Sequence, residues 1–197
     1  MQEEKTRRTQ SQRRAETRTA LLAAARRLII AKGYAETSTP EIVRAAEVTR
    51  GALYHHFADK AAVMEALVRQ EAEAVAAAIS QAALADLPPL EAFMAGARAY
   101  FSAMAVPGRV EILLQEGPAV LGPDVMAAID QDTGTATLVE GLQAVAADGR
   151  LSDAEIEPLA DLLAAAFDRA AFAIAQGEDR EAYEAAIRLL LRGVIVR

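Results

Sequence analysis

Residues 39–60 read TPEIVRAAEVTRGALYHHFADK, and the stretch decides the fold because it holds two short helix signatures joined by a tight turn. The first helix has two candidate starts. Thr39 offers an acceptor hydroxyl to unpaired N–H groups, with Pro40 where a missing donor costs nothing; Ser38 and Glu41 form an S-x-x-E capping box instead. Ile42, Val43, Ala45 and Ala46 make an apolar side, and Val48 is expected in the turn as a buried plug. Thr49 caps a second helix, Arg50 to about His56, whose Leu53 and Phe57 share one face four residues apart. Arg50, Tyr54, His55 and His56 spread over the remainder, a polar, aromatic and basic cluster that suits a DNA groove. Asp59 caps a third helix with Lys60 in its first turn. A cation there opposes the helix dipole, which favours a phosphate as its partner.

The stretch resembles the TetR-type transcriptional regulators, whose pattern here is close to A-G-V-S-x-G-T-L-Y-x-H-F-x-x-K. Ala46, Val48, Thr49, Gly51, Leu53, Tyr54, His56, Phe57 and Lys60 fall in its register, and Ile42 matches upstream. Glu47 departs from it, standing where the family has Gly, so a left-handed backbone there costs about 1 kcal/mol or more. The preceding helix, Thr17 to Lys32 followed by Gly33-Tyr34, also matches, so the resemblance covers roughly the first 65 residues and weakens beyond. It implies an all-α fold with a three-helix DNA-binding domain at 17–63 and a helical ligand-binding and dimerisation domain at 64–197, after a basic flexible arm at 1–16. It further implies that Arg50, Ala52 and His55 face base edges beside Gly51. Thr39, Thr49, Tyr54, His56 and Lys60 would then hold phosphates.

Composition is compatible with such a protein without pointing to it. With 197 residues, 53% hydrophobic and 25% charged, the chain is long enough to bury a sizeable core. The net charge of -7 argues against general nucleic-acid affinity. Its distribution does not: residues 1–60 hold 12 Lys/Arg against 7 Asp/Glu, and residues 61–197 hold 9 against 21. Such a layout orients the basic end toward phosphates. Cysteine is absent, which removes disulfides, thiolate metal sites and thiol redox sensing together. The apolar run Ala20–Ile30 is broken by Arg26-Arg27 and lacks a cleavage site, and no run reaches the roughly 18 apolar residues that a bilayer span needs. A cytoplasmic protein with no membrane partner is expected.

The rest of the chain reads as helices at about Lys60–Leu84, Leu90–Ala105, Arg109–Glu116, 123–132, 133–147, Ala154–Gln176 and Arg180–Arg192. Breaks are expected at Asp86-Leu87-Pro88-Pro89, Pro107-Gly108, Gly117-Pro118, Gly122-Pro123, Asp148-Gly149 and Gly177, with a Ser152-x-x-Glu155 capping box. Phe93, Met94, Tyr100, Phe101 and Met104 lie on a broad face of one helix, as ordinary core or as the wall of a small-molecule cavity. Gln115 and Glu116, beside the Gly117-Pro118 break, either contact a ligand or satisfy a broken helix end. Leu159, Leu163, Phe167, Ala170 and Ile174, then Ile187, Leu190 and Leu191, are more apolar surface than two antiparallel helices can cover. Self-association through a four-helix bundle, as the resemblance implies, would cover it.

Catalysis finds no support, since the sequence has no nucleophile elbow, P-loop, Rossmann glycine pattern, HExxH or Cys/His cluster. His55 and His56 are adjacent and diverge by about 100° on a helix, and no third His or Cys completes a transition-metal site. Neither metal nor cofactor is expected, and Asp130, Asp132 and Glu140 read as a solvated helix face. The expectation is a dimeric repressor that binds palindromic double-stranded operator DNA and is released by a small, largely apolar effector. The alternatives are an activator or protein-gated regulator, and a helical interaction module without DNA binding.

Overall fold

Helical spacing of apolar residues is realised as helix throughout the computed structural model, which describes residues 10–83, 87–147 and 156–195. In chain order the elements are α1 (Gln10–Lys32), α2 (Thr39–Ala45), α3 (Arg50–His56), α4 (Lys60–Ala83), α5 (Pro89–Met104), a π-helix (Glu111–Glu116), α6 (Gly117–Leu121), α7 (Pro123–Asp132), α8 (Gly134–Ala146), α9 (Ile156–Ala175) and α10 (Arg180–Ile195). They form an N-terminal helix cluster and a C-terminal helical bundle. The predicted Asp148-Gly149 turn and the Ser152-x-x-Glu155 box lie outside the described residues. The chain divides into one compact unit up to Leu67 and another from Val68, so the division falls inside α4 and slightly later than the boundary expected at 63/64.

In the first unit, Leu21, Leu22, Ala24, Ala25 and Ile29 of α1 are buried with Ile42 of α2, Leu53 of α3 and Val63, Met64 and Leu67 of α4. One expectation for α1 is corrected. The segment 10–16, expected in a flexible arm, is already helical, and Thr17 is an interior residue whose hydroxyl donates to Arg13 O one turn back at 2.9 Å.

The turn between α2 and α3 has a local cause. Glu47 takes φ 56°, its N–H donates to Arg44 O, and the Val48 N–H reaches back to Val43 O, each at 3.2 Å. This paired closure is a Schellman motif, which uses carbonyls that a helix end otherwise leaves open and offsets the strain of a left-handed Glu. Val48, expected as a buried plug, is only half-buried.

In the second unit, the core gathers Phe93 and Phe101 of α5, Leu142 and Val145 of α8, Ile156, Ala160, Leu163, Phe167 and Ala170 of α9, and Ile187 and Leu191 of α10. The close approach of α5 to α8 depends on Gly141, where a Cβ would overlap the Phe93 ring. Much of the expected dimer surface is therefore internal. Leu163, Phe167, Ala170, Ile187 and Leu191 are buried within one chain, and Leu159 and Ile174 pack against the same core. Of that set only Leu190 is exposed, at 50%, while Leu162 at 68%, which the apolar pattern of α9 also includes, and Leu189 at 73%, which that of α10 does not, are more open still.

The predicted break at Gly117-Pro118 does not occur. The preceding turns widen into the π-helix, where the Gly117 N–H donates to Ile112 O five residues back, and the chain continues directly into α6. Widening moves the carbonyl that the Pro118 ring would otherwise strike. Gly117 is required at this point because a Cβ would stand 2.7 Å from Ile112 O and 3.1 Å from Val68 Cγ2. Just before the π-helix, Arg109 Nε donates to Glu71 Oε2 at 2.7 Å, with the two side chains 11% and 5% exposed. Arg109 Nη1 donates to Ala103 O at 2.7 Å.

Candidate nucleic-acid interface and ligand cavity

The start of α2 is settled by the residue three positions on. Ser38, not Thr39, is the N-cap: its Oγ accepts from the Glu41 N–H, and the Glu41 carboxylate accepts from the Ser38 N–H at 3.0 Å. Lys32 Nζ donates to Glu41 Oε1 at 2.7 Å. This donation first, then the Ser38 hydroxyl and N–H, lowers the Glu41 carboxyl to about 2. Thr39 is the first helical residue, and its side chain hydrogen-bonds Tyr54 across the turn. Thr49 caps α3 as expected, accepting from the Ala52 N–H at 3.1 Å, and Asp59 Oδ1 accepts from the Ala62 N–H at 2.7 Å at the start of α4.

With Leu53 and Phe57 buried, α3 turns Arg50, Gly51, Tyr54 and His55 outward, a continuous stripe one turn long. Arg50 Cζ lies 5.5 Å from the centre of the Tyr54 ring. Hydrogen bonds from Thr39 and then Arg50, with the Arg50 charge, lower the Tyr54 pKa. His56 is half-buried beside this stripe. Its pKa is lowered by burial first and then by the positive charges of His55, Arg14 and Arg18. At Gly51 the nearest atom that a Cβ would meet is Thr49 Oγ1 at 3.9 Å. Among the described residues nothing requires glycine there, although glycine in a helix costs about 1 kcal/mol relative to alanine.

Lys60 is placed differently from the expectation of a phosphate-facing cation. Its ammonium donates to Tyr34 O at 3.0 Å and Thr37 O at 2.9 Å, and lies 3.9 Å from the Tyr34 ring centre. It clamps the loop between α1 and α2. Arg27, which carried no signal in the sequence pattern, donates from α1 to Ala45 O at the end of α2 at 3.2 Å.

The second unit holds a cavity of about 270 Å³ between α4, α5, α7, α8 and α9, bordered among others by Phe93, Tyr100, Leu138 and Phe167. A second cavity of about 390 Å³ shares Tyr100, Asp130, Gly134 and Asp168 with it and is bordered by Met104. Of the expected ligand residues, Phe93 and Tyr100 therefore line the first cavity and Tyr100 and Met104 the second. Phe101 is core, touching only a third cavity of about 240 Å³ with Met104. Met94 packs against the core, and neither the exposed Gln115 nor Glu116 borders these cavities. The helix end they were expected to satisfy is not broken.

Asp130 and Glu140 are exposed, as a solvated helix face requires, and both also border the first cavity, where Asp168, absent from the sequence-based candidates, joins them. The Tyr100 hydroxyl donates to Asp168 Oδ1 at 2.7 Å. Burial first, then the charge of Asp168, raises the Asp130 carboxyl to about 6. Asp168 is raised by burial, against the opposing hydrogen bond from Tyr100. The Tyr100 pKa is raised by burial and by both carboxylates. Asp168 carried a sequence signal, as a charge inside the apolar run LLAAAFDRAAFAIA. Among the described residues no group of three or more His, Cys, Asp or Glu is placed to hold a metal, and no helix is long and apolar enough to cross a membrane.

A capped helix, a Schellman turn and a second helix with an outward polar stripe define a helix-turn-helix DNA-binding module. Residues 21–67 match the family described as "Bacterial regulatory proteins, tetR family", and residues 90–195 match "Tetracyclin repressor-like, C-terminal domain". The crystal structure of a TetR-family transcriptional regulator from Pectobacterium atrosepticum is similar at 34% identity and TM-score 0.75, covering 96% of this chain and 99% of that one. A putative TetR-family regulator from Syntrophomonas wolfei shares the fold at 20% identity and TM-score 0.80, covering 93% and 96%. So does RolR in complex with resorcinol, at 20% identity and TM-score 0.69, covering 95% and 92%. No curated protein matches the sequence. The chain belongs to the TetR family of DNA-binding transcriptional regulators.

Proposed function

We propose that the chain is a non-catalytic, homodimeric repressor that lays α3 of each subunit in successive major grooves of a palindromic operator and leaves when a small effector fills the second unit. The observation that carries the reading is the outward stripe of Arg50, Gly51, Tyr54 and His55. A glycine that none of the described residues requires fits close approach by an external backbone. Arg50 and His55, with Ala52, face base edges; Tyr54, Thr39, Thr49 and His56 hold phosphates and set register. Lys60 keeps at most its remaining N–H for phosphate and acts first on the loop. Leu162, Leu189 and Leu190 form the centre of the dimer face.

The switch is supported by α4, whose Ile79, Ser80 and Ala83 border the 270 Å³ cavity while its first turn starts at Lys60. An effector that favours one arrangement of the cavity wall then acts on the helix that leads out of the reader, and only its differential affinity can shift the equilibrium. RolR, of the same fold, has been solved with resorcinol, which supports a small-molecule effector here.

A mobility shift on the intergenic DNA upstream of the protein's own gene tests the reading. The expected result is a discrete complex of two subunits whose log K falls with log salt at roughly -0.9 per neutralised phosphate. Retardation indifferent to DNA sequence, or none at low salt, would instead support a helical interaction module.

A further inference from the structure

Three charged side chains border the 270 Å³ cavity, Asp130, Glu140 and Asp168, and all are acidic. The remaining wall is largely apolar and aromatic. Tyr100 and Phe167 meet edge to face with ring centres 5.2 Å apart, and Phe93 stands on the same cavity. We propose that this cavity takes an amphiphilic cation, an aromatic or alkyl ammonium whose charged head lies at Asp130 and Asp168 and whose apolar body lies along Phe93, Leu138 and Phe167. The proposal rests on the effector-gated reading above and names its ligand class.

Three arguments carry it. Two carboxylates that share a cavity wall repel each other, so the cavity favours an entering cation electrostatically. Aromatic faces add attraction for a cation and bury an apolar body. The geometry is also prepared: Asp130 stands with more than a third of its surface open, where a ligand can reach it, while Asp168 is half-buried and held by the Tyr100 hydroxyl. The cavity lies just below the range of about 300–1,000 Å³ usual for ligand pockets, which favours a small occupant.

The charged and titratable groups around Asp130 are Tyr100 from α5, Glu140 from α8, Asp168 and Arg169 from α9, and Asp132, 3.8 Å from Arg69 of α4. Arg169 borders the second cavity and not the first, with its guanidinium carbon 5.9 Å from the Phe172 ring centre. The Asp130 carboxyl, raised to about 6, is charged at pH 7.5 and largely protonated at pH 5. Affinity for a permanent cation therefore falls as pH falls through about 6.

Calorimetry on the full-length protein without DNA, using four probes that share a phenylbutyl body, tests the proposal. At pH 7.5, 4-phenylbutylamine and 4-phenylbutyltrimethylammonium are expected to bind at least tenfold tighter than 4-phenylbutanol, with 4-phenylbutyrate weakest. The trimethylammonium, which cannot itself titrate, should weaken several-fold between pH 7.5 and pH 5. Asp130→Asn, at an open position, should lower cation affinity at least fivefold and leave the alcohol within twofold; Asp168→Asn should do the same. Alcohol binding equal to or tighter than the amine, a cation preference that survives both variants, or no binding by any probe at millimolar concentration would each overturn the proposal. Operator binding without ligand is a separate measurement, so these failures leave the DNA-reading proposal standing.

Discussion

Replacing Arg109 with methionine is expected to destabilise the second unit by about 3–5 kcal/mol, because it takes the guanidinium from a Glu71 carboxylate whose side chain is only 5% exposed. The loss has two parts: Glu71 keeps a buried charge with reduced compensation, and Ala103 O loses the donor that now reaches it at 2.7 Å. Pairing the change with Glu71→Leu should restore most of the stability, since replacing both members of a buried pair with apolar groups is often close to neutral. Urea denaturation of the two single variants and the double variant, analysed as a cycle, measures this coupling. A single-variant loss below about 1 kcal/mol, less than the cost of breaking a pair shielded from solvent, would show that the pair is not electrostatically isolated from water.

Leu189→Glu with Leu190→Glu is expected to convert the proposed dimer to monomers. Burying one leucine contributes about 1.5–3 kcal/mol, so removing two from each subunit withdraws about 6–12 kcal/mol of gross stabilisation across the two-fold. Against an association cost of comparable size, the dissociation constant should rise at least a thousandfold. Sedimentation velocity at micromolar protein gives the result directly. A dimer that survives the double substitution places the subunit interface elsewhere. The same variant should lose tight operator binding while each subunit keeps its helical content.

What was legible in the sequence follows how local each cause is. The caps at Thr49 and Asp59, the helix pair around Glu47 and the breaks at Gly33 and Gly177 depend on neighbours within a few residues, and the structure places them as read. Between the two adjacent hydroxyls at the start of α2, the Glu three positions after Ser38 decides, which Thr39 lacks. Where the cause is distant, pattern alone misleads. Periodicity makes one face of α9 apolar but does not say which element covers it, and α8 and α10 cover much of what was expected for a second subunit. The clamp that holds Lys60 uses carbonyls 26 and 23 residues upstream. That Asp130, an exposed position on α7, also borders a cavity does not show in the pattern, because Tyr100 and Asp168 on the same wall come from α5 and α9. Pro118 reads as a helix breaker because a π-helical turn ahead of it leaves no mark in a 3.6-residue pattern.

The central claim is that the outward face of α3 reads base sequence, and Arg50→Ala on matched duplexes tests it most directly. Fluorescence anisotropy at physiological salt would compare wild type and variant on the upstream operator and on a random duplex of equal length. Wild type should prefer the operator by about 10³ or more. The variant should lose about 1–3 kcal/mol on the operator, little on random DNA, and its preference at one base pair per half-site. Equal losses on both duplexes, or a wild type without preference between them, would contradict the claim.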